Sequence, residues 1–191
     1  MNRVETKAVF ELVLFRENQH HDPAEFKNSR PLEINEVTVR PLDAYGGLRY
    51  LRSRSDIDGD RIGLQGWSNG GSTVLATMAE GASGGLDGFR AALALYPGCL
   101  LQHRYEAGYR PYAPVRIFIG TADEEVSPKI CMNFADKATA LGSDVMLTIY
   151  PDATHDFDDP GKKFQRLAAN REAADDTRAR AVAFFAAELG R

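Results

Sequence analysis

Ser68 lies in the stretch of this chain best suited to nucleophilic chemistry, GWSNGG at 66–71. A short apolar run ends just before this stretch and a small-residue helical pattern begins just after it, so the serine is predicted to sit where a strand turns sharply into a helix. The spacing of Gly66, Ser68 and Gly70 is the nucleophile-elbow pattern, in which glycines remove side chains that would collide with the neighbouring strand and helix. A glycine-rich turn without chemistry can have the same spacing by chance, so the interpretation depends on partner residues.

Asp123 and His155 are the two partners that a serine nucleophile needs. Each lies just past the end of a predicted strand, at 115–119 and at 145–150, and the carboxyl ends of parallel strands meet at one edge of a sheet. A histidine must accept the serine proton, and a carboxylate must hold the tautomer of the histidine and stabilise the imidazolium. The three residues predict a catalytic triad for acyl transfer, in the chain order serine, acid, histidine.

The acid and the base each have alternatives. Asp123 could instead cap the helix that is predicted to begin near Ser127, and several nearby carboxylates compete for its role, namely Glu124, Glu125, Asp152 and Asp156. His155 could be an ordinary loop histidine. The other three histidines do not follow a predicted strand in a suitable position, which favours His155; they are His20, His21 and His103.

The residues beside the nucleophile are interpreted as parts of a pocket. Trp67 and Asn69 are expected to shape the site, and the backbone N–H of Asn69 is expected to point into the oxyanion hole. Trp67 could also line an apolar acyl or aromatic pocket together with Tyr105, Tyr109 and Tyr112. Plain packing is the alternative for these side chains, because scattered aromatic residues are commonly part of a core.

Strands and helices alternate along the chain. Apolar strands are predicted at 8–15, 61–65, 89–96, 115–119 and 145–150, and helices are predicted from Pro41, from Asn69, from Ser127 and over 170–189. This alternation predicts the α/β class, with a mostly parallel sheet and helices on both faces, in a single domain over residues 1–191. Such sheets place their chemistry in the loops at the carboxyl ends of the strands, which is where the predicted triad lies.

Composition and charge exclude several classes of protein. The 191 residues are 43% apolar and 26% charged, which is ordinary for a soluble globular chain. A net charge of -4 and a pI near 5.6 give no electrostatic reason to expect nucleic acid or an anionic membrane as partner. No cofactor or metal is predicted, because the adjacent His20, His21 and Asp22 lie in a loop, where neighbouring side chains rarely converge on one ion.

Cys99 and Cys131 are the two cysteines of the chain, and neither lies in a C-x-x-C or metal-ligand spacing. They are interpreted as buried free thiols. No apolar run approaches the roughly 20 residues that cross a bilayer, and the start of the chain lacks the pattern of a secretory leader. A cytoplasmic location is the resulting expectation, with a lost N-terminal signal as the alternative.

Four separate blocks of sequence resemble the dienelactone hydrolase family of α/β-hydrolases. They are GWSNGG at 66–71, YPGC at 96–99, IGTAD at 119–123 and YPDATHDF at 150–157, within a resemblance that covers about residues 40–191. The resemblance implies an α/β-hydrolase fold, a triad of Ser68, Asp123 and His155, and hydrolysis of a small carboxylic ester or lactone. The founding members of the family have a cysteine nucleophile, whereas this chain has a serine, as many esterase-like members do.

The segment before Pro41 is shorter than this fold implies. The full α/β-hydrolase sheet has several strands ahead of the elbow, and the loop after its third strand supplies a second oxyanion N–H, often from an H-G-G-G run. We therefore expect a sheet that is shortened on its N-terminal side, with an uncovered edge that invites a homo-oligomer. Two alternatives to an esterase stay open: a catalytically weak homologue that acts as a binding protein, and a serine peptidase with the same elbow.

Overall fold

The computed structural model describes residues 8–11, 36–82, 88–100, 105, 107–159, 161 and 166–190. Along these residues lie five strands and four helices, in the order β1 (Ala8–Glu11), α1 (Arg40–Ser53), β2 (Ile62–Trp67), α2 (Asn69–Met78), β3 (Ala91–Leu95), β4 (Val115–Gly120), α3 (Pro128–Ala140), β5 (Val145–Tyr150) and α4 (Ala168–Leu189). None of the described helices is long and apolar enough to cross a membrane. The predicted strand end at 12–15, the loop with His20, His21 and Asp22, and His103 fall outside the described residues.

The five strands are parallel and lie in the sheet in their chain order. Trp67 at the end of β2 pairs with Leu95 of β3, and Gly120 at the end of β4 pairs with Tyr150 at the end of β5. The carboxyl ends of these strands therefore lie along one edge of the sheet, where parallel sheets commonly bind their ligands. The predicted α/β fold with a parallel sheet is confirmed.

Helices pack on both faces of the sheet. Successive residues of a strand point to opposite faces, so Gly63 and Gly66 of β2 lie on opposite sides. A Cβ atom at Gly63 would lie 2.6 Å from the Phe185 ring of α4, and one at Gly66 would lie 2.9 Å from Val74 of α2. Between these layers the central strand β3 is buried at every position, as expected for a strand covered on both faces.

Cys99 and Cys131 form a disulfide, which corrects the prediction that both are free thiols. The bond ties the loop after β3 to the first turn of α3. Since the two cysteines are 32 residues apart and lie in no motif, their proximity depends on the tertiary fold and could not be seen in the sequence. Disulfides persist mainly in oxidising compartments, so this bond counts against the expected cytoplasmic location.

Candidate active site

Ser68 occupies the sharp turn between β2 and α2. Its backbone has a φ of 49° and a ψ of −116°, outside the regions that L-residues normally adopt and typical of a nucleophile elbow. Glycines make this turn possible, because a Cβ atom at Gly66 would collide with the carbonyl of Gly70, and one at Gly71 would lie 2.8 Å from the carbonyl oxygen of Leu95. The glycines of GWSNGG are therefore required by the close approach of strand, turn and helix.

Ser68, His155 and Asp123 form one hydrogen-bonded row. Nε2 of His155 lies 3.0 Å from Oγ of Ser68, and Nδ1 lies 2.9 Å from Oδ2 of Asp123. The side chains of His155 and Asp123 are only 2% and 0% exposed. The Asp123 carboxylate also accepts the backbone N–H groups of Glu125 and Val126, at 3.0 and 2.9 Å, which fixes its orientation. The structure thus brings together the three residues that the sequence analysis singled out.

Two loops, after β4 and after β5, position the acid and the histidine. Hydrogen bonds join the loops through Thr121, whose N–H donates to the Tyr150 carbonyl at 2.9 Å and whose hydroxyl accepts the Asp152 N–H at 2.8 Å. From the other side, the buried Asn170 of α4 accepts the Thr154 N–H at 3.0 Å and donates to the Thr154 hydroxyl at 2.9 Å. The segment that carries the histidine is therefore held by both neighbouring elements.

The surroundings of His155 raise its pKa above the ordinary value of 6.5. Burial by itself lowers this pKa, because it disfavours the charged imidazolium. The hydrogen bond and charge of Asp123, together with the charges of Glu125 and Asp156, outweigh the effect of burial. A raised pKa makes the imidazole a stronger acceptor for a serine proton.

The competing acidic residues occupy other positions around the histidine. Glu124 accepts the backbone N–H of His155 through Oε2 at 3.1 Å. Glu125 Oε2 lies 3.5 Å from Nε2 with its side chain 58% exposed, and Asp156 Oδ1 lies 3.9 Å from the same nitrogen. Of these four carboxylates, Asp123 is the one that bonds Nδ1 of His155. That is the position of the acid in a catalytic triad.

A metal is a weaker interpretation of this cluster. Among the described residues, Glu125, His155 and Asp156 offer ligand atoms that lie within 4.8 Å of one another. Both ring nitrogens of His155 are already engaged, Nδ1 by Asp123 and Nε2 by Ser68. A metal bound at Nε2 would have to displace the serine hydroxyl, so the arrangement fits proton transfer better than metal binding.

Tyr96 and Asp158 also belong to the site, although sequence reasoning missed them. Tyr96 follows β3 with a φ of 36°, and its ring packs edge-on against that of His155 with centroids 4.7 Å apart. Asp158 accepts hydrogen bonds from the Tyr96 hydroxyl at 2.7 Å and from Nε1 of Trp67 at 2.8 Å. Position was the available signal, since Tyr96 ends a predicted strand and Asp158 lies shortly after His155 in the same loop.

Among the expected pocket tyrosines, Tyr109 lies in the core, and Tyr112 is partly buried and packs against the core. Tyr109 is fully buried, and its hydroxyl donates to a backbone carbonyl of α2 at 2.8 Å. The backbone N–H of Tyr112 donates at 3.0 Å to the last residue of α2. A helix rises about 1.5 Å per residue, so these points lie roughly 10–15 Å from Ser68 at the start of α2. Tyr105 packs against Tyr109 with ring centroids 5.4 Å apart, whereas Trp67 directly precedes the serine.

Asn69 is the first residue of α2. Its backbone N–H lies at the positive end of the helix dipole, which is suited to stabilising a developing negative charge. On the side away from β3, the strand next to β2 is β1, in which Glu11 pairs with Gln65. The residues that follow Glu11 fall outside the described part of the chain, so no second oxyanion donor is assigned.

A sequence profile of the dienelactone hydrolase family matches residues 8–189. The chain belongs to the dienelactone hydrolase family. The matched region of this family member runs from β1 to α4 and includes every residue of the hydrogen-bonded row. The resemblance inferred from four blocks of sequence is thereby confirmed.

Solved structures share the fold of this family member. A protein of Klebsiella pneumoniae assigned as a dienelactone hydrolase superposes with a TM-score of 0.66 at 19% identity, covering 87% of this chain and 68% of that one. Apo esterase 2 of Thermogutta terrifontis gives 0.60 at 21% identity over 82% and 68% of the two chains. Its form phosphorylated by paraoxon gives 0.59 at 21% identity over 78% and 64%.

One curated relative matches a shorter region. Human dipeptidyl peptidase 8 is 34% identical over 90 residues, which make up 47% of this chain and 9% of that protein. The family member thus corresponds to a small part of that relative, and to about two thirds of the solved esterase.

Proposed function

We propose that this member of the dienelactone hydrolase family hydrolyses a small carboxylic ester or lactone, with Ser68 as nucleophile, His155 as base and Asp123 as acid. The observation that carries the proposal is the row of bonds at 3.0 and 2.9 Å that joins the serine hydroxyl to a buried carboxylate through the imidazole. Both distances are within reach for proton transfer and orientation of the base. Membership of the family supports the same class of reaction.

Acylation begins when Nε2 of His155 takes the hydroxyl proton of Ser68 and Oγ attacks the carbonyl carbon. Negative charge then develops on the former carbonyl oxygen, where the N–H of Asn69 at the start of α2 would bind it. As this intermediate collapses, the bond to the leaving oxygen breaks and the imidazolium returns its proton to that oxygen. Asp123 stabilises the imidazolium throughout, and an acyl group remains on Ser68.

Deacylation uses the same residues with water as nucleophile. Nε2 of His155 removes a proton from water, and the water oxygen attacks the acyl carbon. Collapse breaks the bond to Oγ of Ser68, returns the proton to that oxygen and releases a carboxylic acid. For a lactone the leaving oxygen stays attached to the acyl group, so the product is a hydroxy acid.

Ester turnover with matched serine variants tests the proposal. Ser68→Ala should lower hydrolysis of short p-nitrophenyl esters on the order of 10⁴-fold or more, because the nucleophile is lost. Ser53→Ala is the control, since its hydroxyl donates to the Tyr50 carbonyl on an exposed part of α1. Equal turnover by wild type and Ser68→Ala would refute the proposal, and a folded wild type without turnover would favour a binding protein.

A serine peptidase is the second candidate, favoured by the local similarity to human dipeptidyl peptidase 8. An amide forms the same acyl-enzyme if His155 protonates the leaving amine. An aminoacyl ester and its matched amide separate the two candidates. A peptidase should turn over both substrates, whereas an esterase should leave the amide intact.

Two further proposals concern the domain organisation and the assembly of the chain. The described strands form one sheet, which supports a single domain. Its edge strands in the described part are β1 and β5, and an uncovered edge can pair with a second copy of the chain. Light scattering of the purified protein measures whether such a homo-oligomer forms.

A further inference from the structure

We propose that Asp158 is a positioning residue that holds His155 in place against Ser68, an inference that rests on the proposed function. Asp158 lies half-buried in the loop after β5. Its Oδ2 accepts the indole N–H of Trp67 at 2.8 Å, and its Oδ1 accepts the hydroxyl of Tyr96 at 2.7 Å. The two carboxylate oxygens therefore tie the histidine loop to the ends of β2 and β3.

Both donors adjoin the proposed reacting groups. Trp67 is the last residue of β2 and directly precedes Ser68. Tyr96 is 1% exposed, and its ring lies against that of His155 with centroids 4.7 Å apart and planes at 61°. In the proposed mechanism a proton passes between Ser68 and His155. The two bonds of Asp158 control the relative placement of these residues.

The backbone of Tyr96 explains why its side chain needs a partner. A φ of 36° lies in the left-handed region, which bulky residues rarely adopt and which the surroundings must therefore enforce. Its N–H donates to the Phe118 carbonyl at 2.6 Å, and its ring packs on Phe157 with centroids 5.4 Å apart. The bond from its hydroxyl to Asp158 completes the contacts that keep the ring against His155.

A carboxylate suits this position better than an amide. The indole N–H of Trp67 can only donate, and the Tyr96 hydroxyl donates here as well, so each needs an acceptor. A carboxylate places an acceptor on both of its oxygens. An asparagine has one acceptor oxygen, so its NH₂ group would face the other partner, and the Tyr96 hydroxyl would have to accept instead of donate. Asp158→Asn therefore keeps the size of the side chain, removes the charge that strengthens both bonds and reverses one of them.

Kinetics of Asp158→Asn test the inference. We expect kcat for ester hydrolysis and the rate of inactivation by a fluorophosphonate to fall about 10- to 100-fold, because a displaced base transfers protons poorly. KM should stay within about twofold, since the residue touches no substrate in the proposed mechanism. The acid limb of the pH profile of kcat/KM should move to lower pH. Displacement of the ring weakens the bond from His155 to Asp123, and this bond raises the pKa of the histidine. Wild-type rates with an unmoved limb would overturn the inference.

Matched controls separate positioning from loss of stability. Asp144→Asn makes the same chemical change in an exposed ion pair with Arg116, and Tyr45→Phe removes a hydroxyl that donates to the Thr77 carbonyl in the core. Both variants should keep the wild-type kcat, whatever their thermal stability. Tyr96→Phe removes a hydroxyl only, so it should reproduce the kinetic loss and decides the question if Asp158→Asn does not fold. A wild-type kcat in Tyr96→Phe would count against the inference.

Magnetic resonance distinguishes failure of this inference from failure of the proposed function. A wild-type protein that is neither active nor labelled would refute the function, yet its His155 ring nitrogens would still titrate. In Asp158→Asn we expect the titration midpoint of the His155 ring, which is its pKa, to fall toward the ordinary value of histidine, about 6.5. Trp67 is the only tryptophan, so its single indole N–H resonance should shift in the same variant. An unchanged midpoint would overturn the positioning role, whatever the activity.

Discussion

The backbone N–H of Ala122 donates a hydrogen bond to the carbonyl oxygen of Ala153, 3.0 Å away. Ala122 directly precedes Asp123, and Ala153 lies shortly before His155, so this bond fixes the approach of the proposed acid to the proposed base. The two loops are so close that a Cβ atom at Gly120 would collide with the same carbonyl oxygen. Backbone contacts between the two loops therefore set the distance between Asp123 and His155.

Gly120→Ala should disturb the site through this contact. The added methyl group must push the two loops apart, which we expect to cost about 1–3 kcal/mol in the free energy of unfolding and about 10²-fold in ester turnover. Gly46→Ala in α1 is the matched control, because the nearest described atom to its new methyl is a side-chain nitrogen of Arg49, 3.9 Å away, and alanine stabilises a helix by about 0.5–1 kcal/mol over glycine. Denaturant unfolding measures both changes, and wild-type stability in Gly120→Ala would contradict the close approach.

Asp123→Asn should lower kcat on the order of 10⁴-fold, because an amide favours the wrong tautomer of His155. Glu124→Gln is the matched control. Among the described residues, its exposed side chain accepts only the backbone N–H of the same histidine, a bond worth about 1 kcal/mol, so the loss should stay below about tenfold. Steady-state hydrolysis of a p-nitrophenyl ester measures both variants. Equal losses would mean that Asp123 is not the acid.

Activity should rise with pH through an apparent pKa above 6.5. Only neutral His155 can accept the proton of Ser68, and since its surroundings raise its pKa, a higher pH is needed to form the neutral base. Glu125→Gln removes a negative charge 3.5 Å from Nε2 and should move the rising limb of kcat/KM to lower pH. The exposed Glu172 of α4 supplies the control, Glu172→Gln, which should leave the limb unmoved. If kcat/KM rose over the same pH range in wild type and Glu125→Gln, the proposed influence of the Glu125 charge on His155 would be contradicted.

The residues of the proposed triad could be singled out from the sequence because each follows a strand. In a parallel sheet that position alone places side chains along one edge, so Ser68, Asp123 and His155 needed no knowledge of the packing. Asp158 and Tyr96 could not be found in this way. Their bond joins residues 62 apart, and a contact between two loop side chains leaves no local periodicity.

The expected pocket shows the same limit. Tyr109 and Tyr112 lie in an irregular segment, where no repeat of the sequence indicates which side chains face inward. Both were assigned to a pocket wall on residue type alone. In the structure Tyr109 is buried and Tyr112 packs partly buried against the core, which favours packing, the alternative interpretation of these side chains. Trp67 differs because its position beside Ser68 follows from the chain itself.

Reduction of the Cys99–Cys131 disulfide should destabilise the protein. The bond closes a loop of 32 residues, and restoring the entropy of that loop to the unfolded chain costs about 3–4 kcal/mol of stability. Thermal unfolding with and without a thiol reductant measures the effect. The double variant Cys99→Ser and Cys131→Ser should be as unstable as the reduced protein and insensitive to reductant. A wild-type melting temperature that ignores reductant would contradict the bond.

Covalent trapping tests most directly whether Ser68 is the nucleophile. The wild-type protein is incubated with a fluorophosphonate, its intact mass is measured, and the labelled peptide is sequenced. We predict one adduct on Ser68, absent in Ser68→Ala and greatly slowed in His155→Ala, because the serine is activated by the imidazole 3.0 Å away. An adduct on another residue, or equal labelling of wild type and Ser68→Ala, would contradict the proposed mechanism.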